Sequence, residues 1–192
     1  MLADIGLKLA SENIESFRND QSYVDGSCLE NQNVSKDTPA AWGLVVVKGD
    51  NGLGKGTGEI FEEISGVVVT SSESENYLGA EIGSNNTAEL SGFAEALRWL
   101  LVNGDETPAV IRTDSLYAGN LATGKWKAKA NIRLVETLQT LWREVISICE
   151  LEWEHVKAHR GHRWNERADH LALRCAQGIA PIPLSFWKPG QR

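Results

Sequence analysis

Four carboxylates stand at points in the chain where strands end and helices begin. Asp25 and Asp114 each follow an apolar segment with strand character, whereas Glu89 and Asp169 fall in the first turns of two helical segments. Singly, each has an ordinary explanation, such as an Asp-Gly turn, a helix cap or a solvated helix face. Gathered in one cleft, however, carboxylates repel one another and raise one another's pKa. Divalent cations such as Mg²⁺ remove that conflict, and two ions about 4 Å apart promote phosphodiester hydrolysis.

Hydrophobic periodicity and turn signals predict the elements that must bring these acids together. Strands are expected at 22–25 (closed by an Asp-Gly-Ser turn), 41–47, 59–70 (interrupted at Gly66), 109–112 and 148–156. Helices are expected at 86–102, from the fourth strand to 122, at 131–147 and at 165–176. A Gly-rich hairpin connection joins the second and third strands and lacks the order of a phosphate loop. This succession predicts an α/β fold in which the ends of central strands in a mixed sheet bring the acids to one edge.

Length and charge limit the classes of protein to which the chain can belong. Its 192 residues fit one domain with tails, and 42% hydrophobic residues are enough for a sizeable core. No apolar run approaches the roughly 20 residues of a membrane span, and three unpatterned cysteines favour an intracellular, reducing compartment. The net charge of −7 argues against a uniformly basic nucleic-acid binder. Residues 113–192 nevertheless hold 8 acids and 12 bases, which indicates either a face that meets an anion or, equally, scattered surface charge.

Four sequence blocks, taken together, resemble the type 1 ribonuclease H family. They are Tyr23-Val-Asp25-Gly26-Ser27, Asn85-Asn86-Thr87-Ala88-Glu89-Leu90, Arg112-Thr-Asp114-Ser115 and, from His159 to Asp169, the pattern H-x-G-x-x-x-N-x-x-A-D. Their order and separations are similar to those of the family from about residue 22 to residue 178. The resemblance implies an RNase H-like α/β fold: a five-stranded mixed sheet, with strand 2 antiparallel to its neighbours and helices on both faces.

The resemblance also implies a reaction and a set of catalytic residues. The implied reaction is hydrolysis of the RNA strand of RNA–DNA hybrids with two Mg²⁺ ions (or Mn²⁺), which leaves 5′-phosphate and 3′-hydroxyl ends. Asp25, Glu89, Asp114 and Asp169 match the family's metal-binding acids in position. His159 resembles the family's mobile-loop histidine, which relays a proton or assists product release because an imidazole titrates near neutral pH.

By the same resemblance, a further group of residues is expected to contact the hybrid duplex. Recognition of the RNA strand through its 2′-hydroxyls is expected from Gly26, Ser27, Cys28, Asn85, Asn86 and Asn165. Contacts to the phosphates and sugars of the DNA strand are expected from Ser84, Tyr117, Trp126 and Asn131. The structural alternatives are helix capping for Ser84 and Asn131 and core packing for Tyr117. The lysines at 125, 127 and 129 favour an exposed nucleic-acid contact for Trp126.

Two departures from the family pattern stand out in this chain. Only 14 positions separate Tyr117 from Asn131, too few for the basic handle of many bacterial members. We therefore expect a handle-less variant whose affinity for hybrid is modest or depends on another domain. The bulky run at 162–164 replaces smaller residues and is expected to alter the mobility of the loop that carries His159.

We therefore predict one RNase H type 1 domain at residues 22–178, acting on its hybrid substrate as a monomer. Residues 1–21 are predicted to be an N-terminal extension, poorly structured or a frayed helix, and residues 179–192 a C-terminal tail. A stand-alone enzyme and a module derived from a retroelement polyprotein both fit these features. A catalytically silent domain that only binds nucleic acid is a third alternative, disfavoured because all four acids and His159 are present.

Overall fold

The computed structural model describes residues 20–158 and 160–191, and within these ranges five strands form one mixed sheet. The strands are β1 (Asp20–Cys28), β2 (Ala40–Lys48), β3 (Glu59–Val67), β4 (Ala109–Thr113) and β5 (Leu151–His155). Their order across the sheet is β3-β2-β1-β4-β5. Strand β2 is antiparallel to β1 and β3, whereas β4 is parallel to β1 and β5. The predicted five-stranded mixed sheet is confirmed.

Four helices in the same described ranges cover the sheet. They are α1 (Asn85–Asn103), α2 (Leu116–Ala122), α3 (Ile132–Ile146) and α4 (Arg163–Ala176). Val24, Leu44 and Val46 pack with residues of α1 on one face, whereas Tyr23, Val45 and Val47 pack with residues of α4 on the other. Side chains alternate between faces along a strand, so neighbouring residues of β1 and β2 supply two separate cores. Helices on both faces are thus confirmed.

Two local predictions for the strands were wrong. The segment Asp25-Gly26-Ser27 is not a turn, because β1 continues to Cys28 and pairs residue by residue with β2. Gly66 does not interrupt β3, since it pairs with Trp42 and the strand ends one residue later at Val67. A Cβ at Gly66 would lie 2.6 Å from Cζ2 of Trp42, so the glycine makes room for the indole ring. Both errors arose because a long-range partner outweighed a local turn signal.

The segments outside the sheet and its helices bear on the remaining predictions. The predicted extension at 1–21 lies outside the described residues except for its last two positions. The connection 123–131, which is described throughout, holds no helix, as expected for a chain without a handle. Residues 179–191 pack against α4, and Trp187 among them is buried. Within the described ranges, none of the helices has the length and apolar character needed to cross a membrane.

Candidate active site

The two strand-end aspartates lie side by side because β1 and β4 are parallel neighbours. Val24 pairs with Thr113 in this ladder, so Asp25 and Asp114 directly follow a pair of neighbouring residues on adjacent strands. Glu89 joins them from the second turn of α1. Among the described residues, these three acids form a group in which one carboxylate oxygen from each lies within 4.8 Å of the others. The structure therefore brings these three acids together at one edge of the sheet, as the sequence predicted.

Gly26 allows α1 to approach β1 closely enough for Glu89 to reach the strand end. A Cβ at this position would lie 2.4 Å from the Glu89 nitrogen and 2.7 Å from the carbonyl carbon of Ala88. Both are backbone atoms, which side-chain rotation cannot move aside. Gly26 is thus required for close helix–sheet packing.

The fourth acid, Asp169, comes from α4 on the opposite face of the sheet and is buried. Gly43, which pairs with Asp25, brings α4 close, because a Cβ there would lie 2.3 Å from the Ala168 carbonyl oxygen. Asp169 lies outside the tightest group of three oxygens. Its negative charge nevertheless raises the pKa of Asp25 and of Glu89. The four predicted acids therefore share one electrostatic site.

Burial and mutual repulsion make the charged form of two of these carboxylates unfavourable. Asp25 is 5% exposed and Glu89 is 8% exposed. Burial raises the pKa of Asp25 well above its usual range, and the charges of Glu89, Asp114 and Asp169 raise it further. Burial and the charges of Asp114 and Asp169 likewise raise the pKa of Glu89. Such strongly raised values mark a site that is incomplete without positive charge.

Asn165 lies against Asp25. Its side-chain Nδ2 donates to Asp25 Oδ2 at 3.5 Å, while the Gly26 amide donates to Asp25 Oδ1 at 2.7 Å. Both oxygens of the carboxylate are thereby oriented. Asn165 and Asp169 are four residues apart on α4, so they lie on one helix face, and this spacing is the sequence signal that could have placed Asn165 beside the acids.

The donor atoms fit a hard divalent cation. The group offers carboxylate oxygens, which are the ligands that Mg²⁺ and Mn²⁺ prefer in proteins. Glu89 Oε2 is buried and has no hydrogen-bond partner in the described part of the chain. Asn165 Oδ1 is in the same condition, with Asn165 only 2% exposed. Buried acceptors of this kind are costly unless a ligand or bound water satisfies them.

A family model for RNase H matches residues 19–177, which is most of the chain. The chain belongs to the RNase H family. Ribonuclease H of Aeromonas salmonicida is 32% identical over 166 residues, covering 81% of this chain and 88% of the relative. Family membership makes the chain a ribonuclease H, an enzyme of the hydrolase class.

Solved structures show the same fold at lower sequence identity. RNase H1 from Halobacterium salinarum superimposes with a TM-score of 0.60 at 24% identity, covering 84% of this chain and 99% of that one. LC11-RNase H1, solved in complex with an RNA/DNA hybrid, has a TM-score of 0.60 at 20% identity and covers 83% of this chain and 98% of its own. These likenesses confirm the RNase H-like fold predicted from the sequence.

The residues predicted to contact RNA border the acidic site. Gly26, Ser27 and Cys28 continue β1 beyond Asp25, and Gly26 faces Ala88 and Glu89 of α1. From that helix, Asn85 donates through Nδ2 to Glu89 Oε1 at 3.5 Å, and Asn86 is exposed. Gly26, Asn85 and Asn165 thus donate hydrogen bonds to acids of the site, whereas contact of the whole set with RNA stays a prediction.

The residues predicted to contact DNA lie in two places. Ser84 is the N-cap of α1, and its hydroxyl accepts from the Thr87 amide at 3.1 Å, which is the structural alternative given above. Asn131 precedes α3, makes no side-chain cap bond and donates instead to the Tyr117 hydroxyl at 3.4 Å. Trp126 is 48% exposed in the connection between α2 and α3, with exposed lysines beside it.

The predicted catalytic histidine, His159, lies outside the described residues. The run that follows it packs against the Gly-rich connection between β2 and β3. The Arg163 amide donates to the Gly54 carbonyl at 3.0 Å, and Trp164 Nε1 donates to the Thr57 carbonyl at 2.9 Å. From the sequence, this connection was expected only to join two strands. Its glycines gave no signal that it would hold the start of α4.

Proposed function

We propose that this RNase H hydrolyses the RNA strand of RNA–DNA hybrids with two bound Mg²⁺ ions. The observation that carries the proposal is the carboxylate group of buried Asp25, buried Glu89 and half-buried Asp114, in which one oxygen from each lies within 4.8 Å of the others and the charges repel one another. In a purely structural cluster of acids, cationic side chains nearby would offset the repulsion between the carboxylates. Here the charges that act on Asp25 and Glu89 are negative, which favours a site for bound metal.

Asp25 and Asp114 would be the central metal ligands, with Glu89 and Asp169 completing the site from either side of the sheet. When bound, the divalent ions would lower the pKa of a water molecule and offset charge at the departing oxygen. The carboxylates would hold the ions at the scissile phosphate, because carboxylates alone would repel that anionic group. The water loses a proton to solvent as its oxygen attacks phosphorus, the bond from phosphorus to the 3′ oxygen breaks, and the 3′ oxygen takes up a proton from solvent. The products are a 5′-phosphate and a 3′-hydroxyl.

The proposed substrate recognition uses a different chemistry for each strand. The 2′-hydroxyl distinguishes RNA from DNA, and it would be read by Asn85, Asn86 and the backbone amides that follow Asp25. The exposed ring of Trp126 would stack on a sugar or base of the DNA strand, and the exposed lysines beside it would contact phosphates. In this proposal His159 relays a proton or assists product release.

The test is a cleavage assay on matched RNA–DNA, RNA–RNA and DNA–DNA duplexes with Mg²⁺. We expect the RNA of the hybrid alone to be cut, and we expect Asp25→Asn and Asp114→Asn to abolish cleavage while hybrid binding persists. Glu152→Gln, which changes an exposed acid on β5, is the matched control and should leave cleavage unchanged. Near wild-type cleavage by either aspartate variant would refute the assignment. Binding without cleavage by the unaltered protein would instead support a silent nucleic-acid-binding domain.

A further inference from the structure

The C-terminal residues 179–191, called here the C-terminal strap, are fastened along α4. His170 is fully buried between the helix and the strap. Its Nε2 accepts from the Ile182 amide at 2.9 Å, and its Nδ1 lies 3.1 Å from the carbonyl oxygen of Gln191. A neutral imidazole with the proton on Nδ1 satisfies both bonds. The strap is therefore held near its beginning and at its end by one side chain.

A second anchor holds the strap at its beginning. The Arg167 side chain is 1% exposed and donates through Nε and Nη2 to the two carboxylate oxygens of Glu63, at 2.7 and 2.8 Å. Its remaining nitrogen, Nη1, donates to the Ile182 carbonyl at 2.8 Å. The guanidinium also lies 5.3 Å from the ring centre of Trp187. The sheet, α4 and the strap are thus joined through one buried cation.

Glu166 connects the strap to the segment that precedes α4. Its Oε1 accepts from the Gly161 amide at 2.9 Å, and its Oε2 accepts from the Gly190 amide at 2.7 Å. Both glycines have positive φ values, 77° and 86°, which side-chain-bearing residues rarely adopt. Gly161 lies two residues after His159 in the chain. One carboxylate therefore bridges the end of the strap and the segment that carries the predicted catalytic histidine.

We propose that Glu166 is a positioning residue for the RNase H reaction, because it restrains the segment that contains Gly161. We propose further that the strap acts on this segment through the Glu166 carboxylate. The bridge requires both carboxylate oxygens of Glu166 as acceptors. The strap supplies the Gly190 amide, which is one of the two amides that fix the orientation of this carboxylate. Without the strap, Glu166 keeps its bond to Gly161 but loses the second restraint on its rotamer. This inference rests on the proposed function, because the effect on catalysis presumes hydrolysis of hybrid.

A simpler role for Glu166 must be separated from bridging. An acid in the first turns of a helix is stabilised by the helix dipole whether or not it bridges anything. Glu166→Asp keeps the negative charge but shortens the side chain, so the carboxylate no longer reaches both amides. Glu166→Gln keeps the length but offers a single acceptor oxygen. Bridging predicts a loss of activity in both variants, whereas a dipole role predicts that the Asp variant behaves as the unaltered protein.

The decisive experiment is a double-mutant cycle in the full chain. Its arms are Glu166→Ala, removal of residues 189–192 by a stop codon, and the two changes combined. We expect each single change to lower kcat for hybrid about tenfold with KM changed less than about twofold. The combined variant should be no slower than Glu166→Ala alone, since the strap acts through that carboxylate. Additive losses, or full kcat in the shortened chain, would overturn the proposal. Glu144→Gln, an exposed acid on α3, is the control.

Hydrogen exchange provides a readout that does not depend on catalysis. The peptide covering 157–163 should exchange faster in Glu166→Asp and in the shortened chain, while β1 and β4 keep their protection. Unchanged exchange at 157–163 would overturn the proposed coupling. If the unaltered protein failed to cleave hybrid, the proposed function would fall, yet this measurement would still decide whether the strap restrains the segment. If the shortened chain failed to fold, Glu166→Asp and Glu166→Gln would decide it.

Discussion

Neutralising one buried acid of the site should stabilise the metal-free protein. Two unit charges 4.8 Å apart repel by roughly 3.5 kcal/mol at an effective dielectric constant of 20, and by roughly 0.9 kcal/mol in water. Asp25 and Glu89 are almost fully buried, so the repulsion energy that is removed by neutralising either acid lies between these limits. We expect Asp25→Asn and Glu89→Gln each to raise the free energy of unfolding by about 1–3 kcal/mol, or Tm by about 2–12 °C.

The Asp25→Asn variant should leave no more unsatisfied buried polar groups than the wild type, because an amide flip of Asn165 pairs Oδ1 and leaves Nδ2 in the former place of Oδ1. The side-chain oxygen that the substitution retains would still accept from the Gly26 amide. The new side-chain NH₂ group would face Asn165, whose Oδ1 has no partner among the described residues and is brought into reach by an amide flip. Melting curves in EDTA at pH 7 provide the assay, and Glu152→Gln, exposed on β5, is the control with the same loss of charge.

The stabilisation should depend on pH in a defined direction. The folded pKa of Asp25 lies above the ordinary value of 3.8, so between these two values the folded state binds more protons than the unfolded state. The stability of the metal-free wild type therefore falls as pH rises from about 4 through the raised pKa. The variant lacks this group, so its advantage over the wild type should be smallest at about pH 4 and below and should grow as the pH rises through the raised pKa.

Divalent metal should reverse the order of stabilities. Mg²⁺ or Mn²⁺ that binds only the folded wild type adds RT ln(1 + [L]/Kd) to its stability, whereas Asp25→Asn should respond weakly. The reasoning would be refuted if Asp25→Asn and Glu89→Gln both melted below the wild type in EDTA at pH 7. Equal metal responses of wild type and variants would show that these acids do not hold the ion.

Four further outcomes are expected. Gly43→Ala places a Cβ 2.3 Å from a backbone oxygen of α4 and should lower the free energy of unfolding in urea by about 2–3 kcal/mol; a loss under about 0.5 kcal/mol would show that the helix shifts freely. Glu63→Ala leaves the buried Arg167 without its carboxylate partner and should cost about 3 kcal/mol, whereas the exposed Glu59→Ala should cost little. Trp126→Ala should raise KM for hybrid about fivefold with unchanged kcat, and an unaltered KM would remove this ring from the binding face. Because few cationic side chains lie beside Trp126, the logarithm of hybrid affinity should fall with the logarithm of salt concentration on a shallow slope. That slope should indicate fewer than about four phosphate contacts.

The acidic site was predictable because its signals are local. Asp114 ends a short apolar strand, and Glu89 lies in the early turns of a strongly periodic helix, so each position follows from its own neighbours in the chain. The motif resemblance supplied the order of the blocks. The extension of β1 past Asp25 was missed, because it depends on pairing with β2, which lies beyond a long connecting segment. Strand pairing of this kind overrides an Asp-Gly turn signal when a partner strand supplies the hydrogen bonds.

By itself, the sequence determined the element order, the family and the four acids, because periodicity and motif spacing act over a few residues. Only the tertiary structure decided that Asn165 turns its amide to Asp25 and that Glu166 joins Gly161 to Gly190. The four-residue spacing of Asn165 and Asp169 puts both residues on one face of α4, but it does not specify which atoms meet, since the packing of α4 on the sheet and of the strap on α4 brings those atoms together. A carboxylate in a first helical turn looks the same in sequence whether it faces water or holds two loops, and the difference lies in which backbone amides the fold brings to it.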